Sequence, residues 1–390
     1  MKTRLGRVAV GIAAAFVLSA GLAQSAAART VTHGNHGGTP RHIFVIMMEN
    51  HGTSEILGNT ADAPFINTLA AHANVDTNYF GVTHPSLPNY LSAISGSFQG
   101  IWDDCKAGAD VLCAPEEFIP GSGDGTAGDY LSAAQIASAS ATPHSFSGGN
   151  IVDQLEANGL SWRAYMQSMP AVGSQVEYWP VLNTAPTPTT VKLYAQKHNP
   201  FMYFSDINYP GSPRLANIVP FKFKRFAADM RSGNVPNFVW ISPDECNDMH
   251  GIDPSAAALI GNPTCGFPAS GLDHGAIQLG DRFLKKTVKL ITHSRTWRTQ
   301  PSSLVIVWDE DDYAGIDGCC GSPTGNNGVV LGGAHAPLLV LNSKGGGQST
   351  AVAANHYSLL ATIEHMWHLG CLANTCSIGP SGTLDDLFGA

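Results

Sequence analysis

Four short runs of continuous apolar residues constrain the fold of this chain more than any other feature. They are HIFVIMM (42–48), NFVWIS (237–242), SLVIVW (303–308) and APLLVL (336–341). Apolar runs that do not alternate with polar residues are typical of strands buried on both faces, as in a parallel sheet. The sequence therefore predicts a mostly parallel sheet at the centre of the fold.

Segments with helical spacing lie between these runs. Apolar residues recur with a helical period over 63–73, 150–159 and 279–294, and Gly159 suits the end of the second helix. Strands that alternate with helices in this way indicate an α/β fold, with helices on both faces of an open sheet.

The chain is expected to form one domain over residues 41–390. Stretches rich in Gly, Pro and Ser at 119–149 and 170–190 are interpreted as surface loops between sheet elements, not as a domain boundary. We therefore expect inserted loops at about 106–149 and 170–235.

The first residues predict a secretory signal peptide over 1–28, followed by a flexible lead-in over 29–40. A basic start precedes an apolar run from Val8 to Leu22, and small residues follow at Ala26–Ala28. A membrane anchor is the alternative, but the apolar run is shorter than the roughly 20 residues that a spanning helix needs. We expect an exported chain without a transmembrane segment after cleavage.

Charge and cysteine content narrow the class of protein. The net charge is −9 and no basic run is present, which argues against nucleic acid as a partner. Eight cysteines fit an exported, disulfide-bonded protein. Proximity predicts the pairs Cys105–Cys113, Cys246–Cys265 and Cys371–Cys376, and it leaves Cys319 and Cys320 to pair with each other or elsewhere.

Carboxylates follow three of the four apolar runs. Glu49 and Asn50 follow the first run, PDECNDMHG (243–251) follows the second, and Asp309 and Glu310 follow the third. Each group by itself could be a helix cap or a solvated loop. Because the carboxyl ends of parallel strands meet at one edge, these side chains could converge there, where they would repel one another unless a cation compensates.

The predicted ligands of that cation are oxygens from Glu49, Asn50, Asp309 and Glu310. Hard oxygen ligands favour one divalent Mg²⁺, Ca²⁺ or Mn²⁺ over Zn²⁺.

Ser86 stands between two prolines, directly before an apolar helical run. One interpretation is an N-cap, which stabilises a helix by about 1 kcal/mol. The other is a nucleophile, because a hydroxyl at a helix N-terminus lies in a positive dipole beside free N–H groups, which suits a phosphate. Contact with a cation would make the alkoxide accessible near neutral pH.

Several motifs in this chain resemble those of the phosphoesterase family that contains secreted bacterial acid phosphatases and non-haemolytic phospholipases C. They span about residues 41–345 in family order: VIMMEN, HPSLPNYLSAISG, DDC, NIVDQLEANGLSWRAYM, ISPDECNDMHG, LGDRFL and IVWDEDD. The chain resembles in particular the shorter exported acid phosphatases, including those that act on phosphatidylinositol 3-phosphate. The family is related to the alkaline phosphatase superfamily, which implies a three-layer sandwich.

The resemblance also implies roles for individual residues. SLPNY is similar to the nucleophile segment of nucleotide pyrophosphatases, which makes Ser86, not Thr83, the nucleophile and makes Asn89 a donor to the phosphoryl oxygens. The implied metal set is Glu49, Asn50, Ser86, Asp309 and Glu310.

One departure from the superfamily pattern favours a single cation. Two-metal members carry an Asp-x3-His pair, whereas Asp244 is followed here by Asp248. Histidines are then expected around the phosphate, and a protonated histidine that donates to the leaving alkoxide favours an acidic pH optimum. The candidates are His250 and His274 as catalytic residues and His84 and His335 as substrate-binding residues.

The sequence thus predicts an exported acid phosphatase that hydrolyses phosphomonoesters, or a phosphoinositide head group, through a phosphorylated Ser86. A phospholipase C or other phosphodiesterase would use the same site. A non-catalytic cell-surface protein that binds a ligand in a decayed site is the alternative from another class.

Overall fold

The computed structural model describes residues 39–116 and 130–389 of the 390-residue chain. The predicted signal peptide and most of the predicted lead-in lie outside the described residues. The strands are β1 His42–Met48, β2 Asn74–Asp76, β3 Trp162–Gln167, β4 Tyr178–Leu182, β5 Thr189–Ala195, β6 Ile218–Phe221, β7 Phe238–Ser242, β8 Ser302–Trp308, β9 Leu338–Asn342 and β10 Ser349–Thr350. The α-helices are α1 Thr53–Ile56, α2 Pro64–Ala70, α3 Ser86–Ser95, α4 Ala133–Ser140, α5 Ile151–Ala157, α6 Phe223–Ser232, α7 Pro254–Leu259, α8 His274–Thr292, α9 Arg295–Thr299, α10 His356–Trp367 and α11 Asp385–Phe388.

An eight-stranded sheet forms the centre of the molecule, with the strand order β10-β2-β9-β8-β1-β7-β3-β6. The strands β8, β1, β7, β3 and β6 are all parallel to their neighbours in this block. Helix α3 packs against α10, and α8 packs against α2, α6 and α9. The mostly parallel sheet with helices around it confirms the predicted α/β sandwich.

The predicted central strands are present because their apolar side chains have core on both sides. All seven residues of β1 and all seven of β8 are buried. The fourth predicted strand differs in direction: β9 is antiparallel to β8 and to β2. An antiparallel neighbour needs no helical crossover, and the chain between β8 and β9 forms no α-helix.

The three predicted helices are confirmed as α2, α5 and α8, and Gly159 follows α5 with a positive φ of 69°. Helix α10 was not predicted. Its residues from His356 to Glu364 are all buried, including Ser358 and Thr362. A helix that is buried all round lacks the amphipathic spacing by which sequence patterns reveal helices.

The prediction that residues 170–235 form only an inserted loop is wrong. This region contains the separate β4–β5 hairpin, then strand β6 of the main sheet and helix α6. The predicted loop at 106–149 includes α4, and its residues 117–129 lie outside the described part of the chain.

All three predicted disulfides are present, and Cys319 is bonded to its neighbour Cys320. Four disulfides are typical of proteins in oxidising compartments. Among the described residues, no helix is both long and apolar enough to cross a membrane.

Candidate active site

Ser86 is the first residue of α3, and its side chain does not cap that helix. Pro85 occupies the cap position, after a cis His84–Pro85 bond. The hydroxyl of Ser86 donates to Glu49 Oε2 at 2.9 Å and also lies 3.2 Å from Glu310 Oε1. The arrangement therefore favours the nucleophile interpretation over the N-cap interpretation.

The carboxylates near Ser86 follow two adjacent parallel strands, β1 and β8. Residues Met48 and Trp308 are paired in the sheet, so Glu49 and Asp309 leave it side by side. The backbone N–H of Asp309 continues the pairing by donating to the Met48 carbonyl at 3.1 Å. The predicted convergence of strand-end carboxylates is thus present, and Glu49, Asp309 and Glu310 are fully buried.

Burial and mutual repulsion determine how these carboxyl groups ionise. Burial, followed by the charge of Glu49, raises the pKa values of Asp309 and Glu310 well above their usual range. Burial also opposes the charge of Glu49, but nearby His198 outweighs it and lowers the pKa of Glu49. Glu49 is therefore the ionised carboxylate of the site. Asp309 and Glu310 ionise only where a positive charge compensates for their burial and for the charge of Glu49.

Lys197 supplies one positive charge that the sequence analysis did not predict. Its Nζ lies 3.4 Å from Ser86 Oγ and 2.7 Å from Asp104 Oδ2. Burial opposes the charge, but Asp104 and then Glu49 outweigh it and raise the pKa of Lys197 well above its usual value. Lys197 is therefore a fixed cation beside the hydroxyl.

His198, also missed, joins Glu49 to a second group of carboxylates. Its Nε2 lies 3.0 Å from Glu49 Oε1, and its Nδ1 lies 3.4 Å from Asp248 Oδ2 and 3.6 Å from Glu245 Oε1. Glu245 in turn contacts His250 Nδ1 at 2.7 Å. Burial opposes the His198 charge, but Glu49 and Glu245 raise its pKa well above its usual value.

Lys197 and His198 lie on a short 3-10 helix, Gln196–His198, after the β4–β5 hairpin. The only sequence signal for them is an adjacent Lys-His pair before Asn199-Pro200 in a charge-poor segment. Because this segment was interpreted as an inserted loop, the pair was not connected with Ser86.

The contacts of Asn89 differ from those that its predicted role requires. Its Oδ1 accepts from the Val82 N–H at 2.7 Å, and its Nδ2 donates to the Thr83 carbonyl at 2.6 Å. The same Nδ2 also lies 3.4 Å from Glu310 Oε2. These contacts hold the loop before Ser86, so Asn89 is a positioning residue in this geometry and its amide hydrogens are engaged within the protein.

The other predicted residues near Ser86 are Asn50 and His84. The backbone N–H of Asn50 donates to Asp309 Oδ1 at 3.1 Å. His84 is fully buried, with Nδ1 2.5 Å from Glu310 Oε2 and Nε2 2.9 Å from the Gly315 carbonyl. Both ring nitrogens of His84 therefore contact protein atoms, and the residue supports Glu310 instead of facing a substrate.

His274 and His335 make their contacts outside this group of residues. The His274 side chain is 68% exposed, and its Nδ1 contacts Asp62 at 2.7 Å. His335 is exposed, its ring packs against Phe80 at a tilted angle, and it borders a cavity of about 520 Å³. The Ser86 group consists of Ser86, Glu49, Asp309, Glu310, Lys197 and His198. Of the four predicted histidines, His84 and His250 are the two that the fold joins to this group.

The donor set fits a hard divalent cation. Asp309 Oδ2 is buried and accepts no hydrogen bond from the residues that the structure describes, and the same holds for Asp248 Oδ2. Within that part of the chain, His198, Glu245 and Asp248 offer ligand atoms within 4.8 Å of one another, beside the predicted set. The other such group includes Cys105 and Cys113, whose disulfide removes them as ligands.

The chain is similar to known proteins over most of its length. It is 27% identical over 337 residues to the "Probable acid phosphatase" of Kluyveromyces lactis, covering 86% of this chain and 60% of that protein. It is 25% identical over 329 residues to the "Phosphatidylinositol-3-phosphatase" of Mycobacterium tuberculosis, covering 84% of this chain and 77% of that one. A solved protein of the alkaline phosphatase superfamily from Vibrio parahaemolyticus aligns with a TM-score of 0.47 at 12% identity, over 90% of this chain and 70% of that chain.

The model of the Phosphoesterase family matches residues 59–262, which include Ser86, Lys197, His198 and the loop after β7. This match confirms the resemblance, and the predicted phosphoric ester hydrolase agrees with the names of both relatives. The chain belongs to the phosphoesterase family.

Proposed function

We propose that this protein is a phosphomonoesterase of the acid phosphatase type, with Ser86 as the nucleophile. The observation that carries the proposal is the hydroxyl of Ser86, which lies within hydrogen-bond distance of two buried carboxylates and 3.4 Å from a lysine ammonium. A nucleophile, a proton acceptor and a fixed positive charge are the groups that phosphoryl transfer requires.

In the first step, Ser86 Oγ forms a bond to phosphorus while the bond from phosphorus to the alcohol oxygen breaks. Glu49, the hydrogen-bond acceptor at 2.9 Å, takes the hydroxyl proton. Lys197 stabilises the negative charge of the phosphoryl oxygens. Water then attacks phosphorus and gives a proton to His250, which has protonated the alcohol, the bond to Ser86 breaks, and the proton held by Glu49 returns to Oγ.

His250 is the predicted histidine best suited to protonate the leaving oxygen. It is joined to Ser86 through Glu245, His198 and Glu49, and its side chain is 21% exposed. Burial opposes its charge, but Glu245 outweighs it and raises the pKa of His250 to about 9. His250 is thus protonated in both acidic and neutral solution, and by itself does not impose an acidic pH optimum.

A divalent cation would be held by Glu49, Asp309, Glu310 and Ser86, with Asn50 beside them. When bound, such a cation lowers the pKa of the serine hydroxyl and neutralises charge on the phosphoryl oxygens. The buried, repelling carboxylates support this assignment, and their oxygen chemistry favours Mg²⁺, Ca²⁺ or Mn²⁺.

The proposed substrates are phosphomonoesters, with a phosphoinositide head group among them. The names of the two relatives support this class. Export with a cleaved signal peptide is part of the proposal, and the four disulfides are consistent with it.

The test is hydrolysis of p-nitrophenyl phosphate by the wild type and by Ser86→Ala, with Ser138→Ala as an exposed control on α4. We expect turnover by Ser86→Ala to fall at least about 1,000-fold, while Ser138→Ala stays near the wild type. Chelation should lower wild-type turnover, and added Mg²⁺, Ca²⁺ or Mn²⁺ should restore it.

A few per cent or more of residual activity in a folded Ser86→Ala protein would exclude Ser86 as the nucleophile. Faster hydrolysis of bis-p-nitrophenyl phosphate than of the monoester would make the protein a phosphodiesterase. Full activity after chelation would exclude the cation.

A further inference from the structure

Basic residues are concentrated on one layer of helices, although the whole chain carries a net charge of −9. Helices α6, α8 and α9 together contain nine Lys and Arg residues and two Asp residues. Asp281 is buried and accepts from the Ile66 N–H, and Asp229 contacts Tyr165 and two arginines. The sequence contains no long basic run because the fold assembles this surface from separate helices.

A groove of about 740 Å³ lies on this layer, between α6 and α8. Its floor is apolar, with Phe223, Ala227 and Leu290 among the lining residues. Four cations, Lys224, Arg231, Lys286 and Lys289, also line it. Within the described part of the chain, no carboxylate lines this groove.

The groove shares no residue with the candidate active site. The C-terminal ends of α6 and of the α8–α9 segment lead to the first residues of β7 and β8, whereas Glu49 and Asp309 follow the last residues of β1 and β8. A ligand in the groove would therefore leave the edge of the sheet that carries Ser86 free.

The chemistry of the groove selects among anionic partners. Long cationic side chains around an apolar floor match an interface in which phosphate groups lie above hydrocarbon. A single-stranded nucleic acid would instead favour open aromatic faces for stacking. The described lining contains the Phe223 ring and the His293 imidazole, but no Tyr or Trp, and Lys286 Nζ lies 5.6 Å from the Phe223 centroid.

We propose that the groove between α6 and α8 docks the protein onto the surface of an anionic phospholipid membrane. The cations contact lipid phosphates, and the upper part of a lipid acyl chain enters the groove and contacts its apolar floor. This inference is independent of the proposed hydrolytic function, because none of the groove residues belongs to the Ser86 group.

The test measures binding of the full chain to vesicles of phosphatidylcholine, with and without phosphatidylserine. The groove variant is Lys224→Glu/Lys289→Glu, and the matched control is Lys192→Glu/Lys344→Glu, which changes the net charge equally at exposed lysines elsewhere. We expect binding only to the anionic vesicles, weakened at least about 30-fold in the groove variant and nearly unchanged in the control. Hydrolysis of p-nitrophenyl phosphate should be equal in all three proteins.

A second variant, Lys224→Gln/Lys289→Gln, preserves the test if charge reversal impairs folding, and we expect a smaller loss in the same direction. Equal binding to neutral vesicles, or an equal loss in the control, would overturn the proposal. The groove variant is also tested against single-stranded RNA and polyglutamate. If either binds with the same affinity as the vesicles and is weakened equally by the groove variant, the partner is of that class and not a membrane. If millimolar inorganic phosphate displaces the vesicles, the groove is a phosphate-binding site and not a membrane-binding surface.

Discussion

Individual residues around Ser86 divide into those that the strand ends supply and those that come from a distant segment. Glu49 directly follows β1 and Glu310 is the second residue after β8, so the pairing of these two strands brings them close together. Lys197 is 111 residues from Ser86 in sequence, and Asp104 holds it with a 2.7 Å ion pair. The Lys197 side chain is only 11% exposed and lies beside carboxylates, so its charge is weakly screened.

We predict that Lys197→Met lowers kcat/KM for p-nitrophenyl phosphate about 100- to 1,000-fold, because a fixed cation next to the reacting phosphate is lost. Lys192→Met, at an exposed lysine on β5, is the matched control and should change the rate little. Steady-state kinetics measure both. An effect of less than about threefold in folded Lys197→Met protein would remove Lys197 from the catalytic group.

At the scale of elements, the loop before α3 approaches the end of β8 closely. A Cβ atom on Gly81 would lie 2.7 Å from the Asp309 carbonyl oxygen and 2.9 Å from Gly333 Cα. Both contacts are with backbone, which cannot rotate away. Glycine at 81 therefore allows the segment that carries Ser86 to lie against the strand that carries Asp309.

We predict that Gly81→Ala destabilises the protein by about 1–3 kcal/mol and also lowers turnover, because the added methyl group must separate these two segments. Gly148→Ala is the control, since a Cβ there meets no atom within 4 Å. Urea unfolding and p-nitrophenyl phosphate hydrolysis give the two readouts. Wild-type stability together with wild-type turnover would contradict the close approach.

At the scale of the whole molecule, a buried ion pair connects the disulfide loop to the segment before α5. His144 Nε2 lies 2.7 Å from Asp103 Oδ1, and His144 Nδ1 contacts the Val111 carbonyl at 3.0 Å. Burial opposes the charge of His144, but the hydrogen bond and the charge of Asp103 outweigh it and raise its pKa above the usual value. Stability from this pair is therefore fully present below the unfolded pKa and is lost as the pH rises through the folded pKa.

We predict that His144→Gln lowers the free energy of unfolding more at about pH 5 than at about pH 9. His72→Gln, at an exposed histidine, should show no comparable dependence on pH. Denaturant unfolding at several pH values measures the difference. A loss that is the same at both pH values would mean that the His144 contact acts by packing and not by charge.

The sequence by itself determined the features that depend on local pattern and short separation. Continuous apolar runs predicted β1, β7 and β8, and the residues directly after two of them predicted Glu49, Asp309 and Glu310, because parallel strands end at a common edge. Short separations likewise predicted three disulfides.

Tertiary packing decided the rest. The direction of β9 depends on contacts between segments far apart in sequence, and so does the connection of His250, but not of His274, to Ser86 through His198 and Glu49. The positions of Lys197, His198 and the basic groove also depend on such contacts. A local sequence pattern does not show which distant segments will pack together.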